Sequence, residues 1–150
     1  IDLDQERLEV SKDFGATEII NSGTENAGEA VKRIVGEAGV DVAIEAVGIP
    51  ATFDICQKLL KPGGHLANVG VHGKPVELHI EELWIRNVTI TMGLVCTSTT
   101  SMLLKNVESK KLQPEKLVSH RFDFSDMINA YEVFGNAAKE KALKVIINFN

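Results

Sequence analysis

Apolar and polar positions along this chain follow two periods, near two and near 3.6 residues, and the switches between them mark its elements. Ile1 and Asp2 read as the end of a buried strand, with an acid at its carboxyl end. Asp4 is placed to cap a helix over residues 5–14, which closes at Gly15. Its inner face, Leu8, Val10, Ser11 and Phe14, is modest. Residues 17–21 (TEIIN) predict a short strand, 21–24 a turn, and Asn26 a second cap. The helix that follows is expected to run to Gly39, with Ala27, Ala30, Val31, Ile34, Val35 and Ala38 on one side. Residues 40–47 (VDVAIEAV) form a nearly continuous apolar run, the pattern of a strand covered on both faces. A turn at 48–50 leads to a helix over 51–60, with Phe53, Ile55, Cys56, Leu59 and Leu60 inward. Residues 61–64 (KPGG) predict a tight turn, and 65–71 (HLANVGV) another strand.

Strand and helix thus alternate as far as Val71 with short connections, which implies right-handed crossovers and an α/β fold with a parallel sheet. After Val71 the rhythm breaks. A loop at 72–75, a brief extension at 76–79 and a short helix at 80–86, carrying Leu83 and Trp84, precede a β-branched strand at 88–95 (VTITMGLV). Residues 97–100 start a helix with Met102, Leu103, Val107 and Leu112 at roughly helical spacing, and Pro114 punctuates it. A strand is expected at 117–124. Ser125 then caps a helix holding Met127, Ile128, Ala130, Tyr131, Val133 and Phe134, which Gly135 and Asn136 end. Residues 143–149 (LKVIINF) close the pattern as a last strand, and no internal repeat is visible.

Composition narrows the choice of function. The net charge of -5 and the lack of any basic run speak against a nucleic-acid partner. No apolar run is long enough to span a bilayer, so no membrane partner is expected. Cys56 and Cys96 lie far apart without metal spacing and are expected to be buried thiols in a reducing cytoplasm. His65, His72, His79 and His120 have no Cys or Glu at ligand spacing, so no metal is assigned to this chain. His72, just past a strand end, is either a loop histidine or one that faces a cleft. No nucleophile elbow or paired carboxylates occur, and no catalytic residue is assigned. Glu45, inside an apolar strand, must be hydrogen-bonded, paired or at a polar end.

In an open parallel sheet, ligands bind outside the carboxyl ends of the strands. Asp2 is placed there. Its two acceptor oxygens suit a ribose diol, and its charge disfavours a 2′-phosphate. From the residues alone, such an acid is more often a cap or a solvated loop charge.

The ordered set IDLDQERLEVSKDFGAT, VDVAIEAVG, LLKPGGHLANVGV, NVTITMG, AYEVF and ALKVIINF resembles the zinc-dependent, medium-chain alcohol dehydrogenases, in family order and at family spacing. The resemblance implies the carboxyl-terminal, NAD-binding part of such an enzyme. Its fold would be a Rossmann-like, doubly wound parallel sheet lacking its first strand and glycine loop. Residues 1–92 would be a partial NAD-binding domain and 93–150 a segment returning to the catalytic domain, packed here on the same unit.

The resemblance implies roles as well. Asp2 holds the adenosine ribose and selects NAD over NADP. Arg7 reaches the ribose or a phosphate, or is a solvated helix charge. Ala46, Val47 and Gly48 line the adenine pocket. Val69, Gly70 and Val71 lie on the nicotinamide side, where the backbone of Ile90 and Met92 also meets the carboxamide. The alternative for these apolar positions is core. Lys144 binds the pyrophosphate, or is an exposed edge lysine. The reaction would be hydride transfer between a small alcohol and its aldehyde or ketone, with zinc as Lewis acid in the full-length enzyme but not bound by this chain. Alone the chain is expected to be inactive and to hold NAD poorly. A homo-oligomer is expected through the strand at 88–95. The competing readings are a zinc-independent quinone reductase of the same superfamily and a Rossmann-like methyltransferase domain.

Overall fold

The computed structural model describes residues 1–149, which form two compact units: residues 1–3 with 17–96, and residues 4–16 with 97–149. The architecture is α/β and Rossmann-like, with parallel sheets. Twelve segments carry it: α1 (Gln5–Asp13), α2 (Ala27–Val35), β1 (Val40–Glu45), α3 (Pro50–Leu59), β2 (Leu60–Asn68), α4 (Ile80–Leu83), β3 (Thr89–Met92), α5 (Thr100–Glu108), β4 (Val118–Asp123), α6 (Met127–Gly135), α7 (Ala137–Glu140) and β5 (Lys144–Asn148).

In the first unit β1, β2 and β3 pair in that order, all parallel. The register aligns Ala43 with Leu66 and Leu66 with Ile90, so these side chains share one face. Helix α3 lays Phe53 against that face, and Ala43, Phe53, Leu60 and Leu66 form a buried cluster flanked by Val40, Cys56, Val76, Val88 and Ile90. A second cluster joins Ile20, Ala27, Ala30, Val31 and Leu59. The opposite face of β1 differs from expectation. Val42 is 53% exposed and Ile44 63%, so β1 is covered on one face within this unit. An apolar run cannot tell a strand buried on both faces from one whose second face lacks a partner.

Other boundaries moved for local reasons. The expected strands at 1–2 and 17–21 reduce to one isolated parallel bridge, Asp2 with Asn21. Asn26 caps α2 through the Glu29 amide at 3.0 Å, but α2 stops at Gly36, where a φ of 84° ends the helical path before Gly39. The KPGG stretch is a bulge inside β2: Val40 pairs Leu60 and Val42 pairs His65, which leaves residues 61–64 opposite Asp41. Lys61 Nζ lies 2.5 Å from Asp41 Oδ1 across it. β3 ends at Met92, short of Val95. Gln57, unremarked in the sequence pattern, is fully buried and donates to the Glu77 carbonyl at 3.0 Å while accepting from the His79 amide at 3.0 Å. It stands in for a strand neighbour and ties the extended segment at 77–79 to α3.

In the second unit β4 and β5 are parallel, joined through α6 and α7 as parallel strands require. Leu8, Ala130 and Ala142 are its buried apolar residues. Asp4 caps α1 by accepting from the amides of Glu6 (2.9 Å) and Arg7 (3.1 Å), and Lys141 pairs Glu6 at 2.7 Å. Phe14 is exposed, so the inner face of α1 narrows to Leu8 with Val10 and Ser11 half-buried. Ser125 caps nothing, because a 3-10 turn over Phe124–Asp126 precedes α6, whose start lacks a side-chain cap. Met102 and Leu103 of α5 lie exposed.

Candidate functional site

Parallel pairing puts the carboxyl ends of the strands of the first unit on one edge. Ala46, Val47 and Gly48 leave β1 there, Val69, Gly70 and Val71 leave β2, and Met92 ends β3. The expected strands thus stop two or three residues sooner, at Glu45 and Asn68. At β1 the reason is chemical: the Glu45 side chain captures the amides that follow it, while the Glu45 carbonyl accepts the last bond of the parallel ladder, from Val69 N. Its Oε1 accepts from Val47 N (3.0 Å) and Gly48 N (2.9 Å), and its carbonyl accepts from Val69 N (2.8 Å) and Gly70 N (3.1 Å).

Apolar side chains on this edge point outward. Val47 is 63% exposed, Val69 65%, Val71 86% and Met92 70%. The core alternative therefore fails for these four. Ile90 is the exception, packed against the cluster around Leu66. Ala46 is exposed and Gly48 buried.

Gly48 and Gly70 show why glycine stands at both strand ends. Gly48 has a φ of 86°, and a Cβ there would lie 2.3 Å from the Val71 carbonyl oxygen. A Cβ on Gly70 would lie 2.2 Å from Glu45 Oε2 and 2.4 Å from Gly48 N. The two turns meet backbone to backbone, and no side chain fits between them.

Glu45 is 1% exposed. Thr52 Oγ1 donates to its Oε1 at 2.6 Å, the third donor on that oxygen. Its Oε2 makes no hydrogen bond, but His72 Nε2 lies 3.2 Å away. That ring nitrogen bonds Asn68 Oδ1 at 2.8 Å, and Asn68 Nδ2 donates to the Gly70 carbonyl at 3.1 Å. His72 packs edge-on against Phe53 and its Nδ1 is buried without a partner. It is an anchor of the turn. The expectation that Glu45 must be hydrogen-bonded or paired holds, but its partners Val47, Gly48, Thr52 and His72 were not named from the sequence.

Asp2 is half-buried; its amide donates to Ile20 O at 3.2 Å and its carbonyl accepts from Ser22 N at 3.0 Å, which fixes the backbone at the strand end. In the second unit Arg7 and Lys144 line one cavity of about 370 Å³ with Leu117, Phe134, Ala137, Ala142 and Leu143. Two cations over an apolar floor can receive an anion. Cys56 is half-buried, its thiol pushed up by burial and then by the Glu45 charge; Cys96 is exposed, against expectation. Neither forms a disulfide. Among the described residues no three His, Cys, Asp or Glu side chains are placed to hold a metal ion, and no helix is long and apolar enough to cross a membrane.

Residues 1–109 match the family described as zinc-binding dehydrogenase. The chain belongs to that family. A solved zinc-dependent alcohol dehydrogenase 2 from Streptococcus pneumonia is 52% identical, with a TM-score of 0.92 over 99% of this chain and 44% of its own. An alcohol dehydrogenase from Thermus sp. ATN1 is 30% identical, with a TM-score of 0.89 over 97% of this chain and 42% of its own. An alcohol dehydrogenase of Cupriavidus necator is 29% identical over 98% of this chain and 41% of its own length. The chain thus spans about two fifths of the length of these alcohol dehydrogenases. The match follows the dehydrogenase reading of the motifs, not the methyltransferase one.

Glu45 carries a pH signature. Burial pushes its carboxyl up, but the Thr52 hydroxyl, the amides of Gly48 and Val47, and the His72 charge outweigh burial and hold it below the ordinary value. A depressed carboxylate contributes stability that is present above its unfolded pKa, about 4.3, and is lost as pH falls through the folded value. Stability by urea denaturation should therefore fall on acidification below about pH 5, and Glu45→Gln should flatten that part of the profile while lowering stability at neutral pH. An unchanged acid limb in Glu45→Gln would contradict the assignment.

Proposed function

We propose that this chain supplies the cofactor-positioning part of an NAD-dependent, zinc-containing alcohol dehydrogenase acting on a small alcohol and its aldehyde or ketone. One observation carries the reading: at the edge where the parallel strands of the first unit end, Val47, Val69, Val71 and Met92 hold apolar side chains in the open. Exposed apolar groups gathered at strand carboxyl ends are what flat rings of a dinucleotide pack against. Bound NAD would supply the hydride acceptor; these residues supply binding, orientation and exclusion of water.

Each candidate has a task in this reading. Asp2 accepts from the ribose diol. Ala46, Val47 and Gly48 receive the adenine side, and Val69, Gly70 and Val71 the nicotinamide side. Ile90 and Met92 contribute backbone groups, since the Ile90 side chain is committed to the core. Arg7 and Lys144, which share a cavity in the second unit, offer positive charge to the phosphates. Residues 1–92 are assigned to the cofactor domain and 93–150 to a segment returning to the catalytic domain. The setting is a reducing cytoplasm, which the two unlinked cysteines suit.

Asp2 tests the cofactor assignment. In the enzyme that carries these residues, Asp2→Gly should lower kcat/KM for NAD by about 10- to 100-fold, the worth of hydrogen bonds to a charged group, and raise the relative use of NADP. A wild-type enzyme that already prefers NADP would overturn the role.

Assayed by themselves, the 150 residues should form no NADH from any alcohol, because no described group of side chains can hold the zinc. Alcohol-dependent NADH formation by these residues alone would refute this.

The outer edge of β3 ends its sheet, and Trp84, Ile85 and Met92 near it are exposed. A second copy pairing there would cover both. Light scattering at tens of micromolar should show a dimer or larger; a strictly monomeric species would exclude it.

A further inference from the structure

The network around Glu45 contains something that packing alone does not explain. A fully buried carboxylate places three donors on one oxygen and none on the other. Those donors come from the turn after β1 and from Thr52, at the start of α3. The oxygen without a hydrogen bond faces the turn after β2, at the place where Gly70 has no side chain and His72 Nε2 stands at 3.2 Å. Asn68 donates its amide to the Gly70 carbonyl and so presents Oδ1 as acceptor, which means that His72 Nε2 carries a proton. Its dipole points a positive end toward both Asn68 and Glu45. An uncharged side chain of the same shape would satisfy one turn and set donor against donor at the other.

We propose that Glu45 is a positioning residue: its ionised carboxylate holds the turn at 46–48 against the turn at 69–72 and so fixes the cofactor-facing rim without touching the cofactor. The holding of the turns stands on the geometry alone; the consequence for the cofactor rests on the function proposed above.

Amide hydrogen exchange on Glu45→Gln tests it, with the Leu66 amide of β2 as internal reference. Protection at Val47, Gly48 and Gly70 should fall about tenfold or more relative to Leu66, because a charge-assisted bond is lost locally. A merely structural loss would lower Leu66 by the same factor, and that outcome, or unchanged protection at all four, overturns the proposal. Should Glu45→Gln fail to fold, Thr52→Val removes one donor and keeps the charge; it should shift the same three amides by roughly threefold, and equal protection with wild type overturns the proposal there too. NADH titration of the same variants reads the consequence: affinity should weaken about tenfold in Glu45→Gln. A wild-type protein that binds no NADH would remove the cofactor reading and leave the exchange pattern to decide the positioning.

Discussion

A carboxylate taken out of water has to find its donors inside the fold, and Glu45 finds them at the point where two parallel strands stop. Isolated burial of such a charge would cost many kcal/mol, whereas hydrogen bonds to a charged group return about 1.5–3 kcal/mol each. The Val47 and Gly48 amides and the Thr52 hydroxyl supply them. These same bonds end β1 after Glu45, and the Glu45 carbonyl closes the ladder with β2 by accepting from Val69 and also from Gly70. One residue therefore takes part in the last pairing at this sheet edge. The glycines follow from that: with Gly48 and Gly70 in backbone contact around the carboxylate, neither position has room for a Cβ.

What the edge presents follows in turn. Because the strands end early, Val47, Val69 and Val71 project beyond the sheet rather than into its core. An apolar rim at the carboxyl ends of parallel strands is a place where ligands bind in open α/β sheets. The second unit offers a different chemistry, two cations over an apolar floor. The family match sets both units within a zinc-binding dehydrogenase.

Local order was legible in the sequence wherever a short-range signal decides the outcome. Asp4 and Asn26 cap their helices because a side-chain oxygen two or three residues from a free amide needs no tertiary partner. The parallel strand–helix alternation, the short helix before β3 and the closing β5 were legible for the same reason, as were the carboxyl-end positions of the site. Less legible were features whose outcome depends on a distant partner. Gln57 looks like any helix-surface glutamine until the segment at 77–79 arrives beside it. The KPGG stretch reads as a turn, yet becomes a bulge once Val40 and Val42 choose Leu60 and His65 as partners.

The sequence by itself determined the α/β class, the family, the helix caps and the presence of an acid that would need partners inside an apolar strand, because composition, period and neighbour chemistry are properties of the chain alone. Only the tertiary structure decided which face of β1 is covered, that His72 anchors a turn, and that Arg7 and Lys144 share a cavity. Those facts depend on residues far apart in the chain being brought within a few ångströms, and burial, pairing and charge acquire their meaning only at that distance.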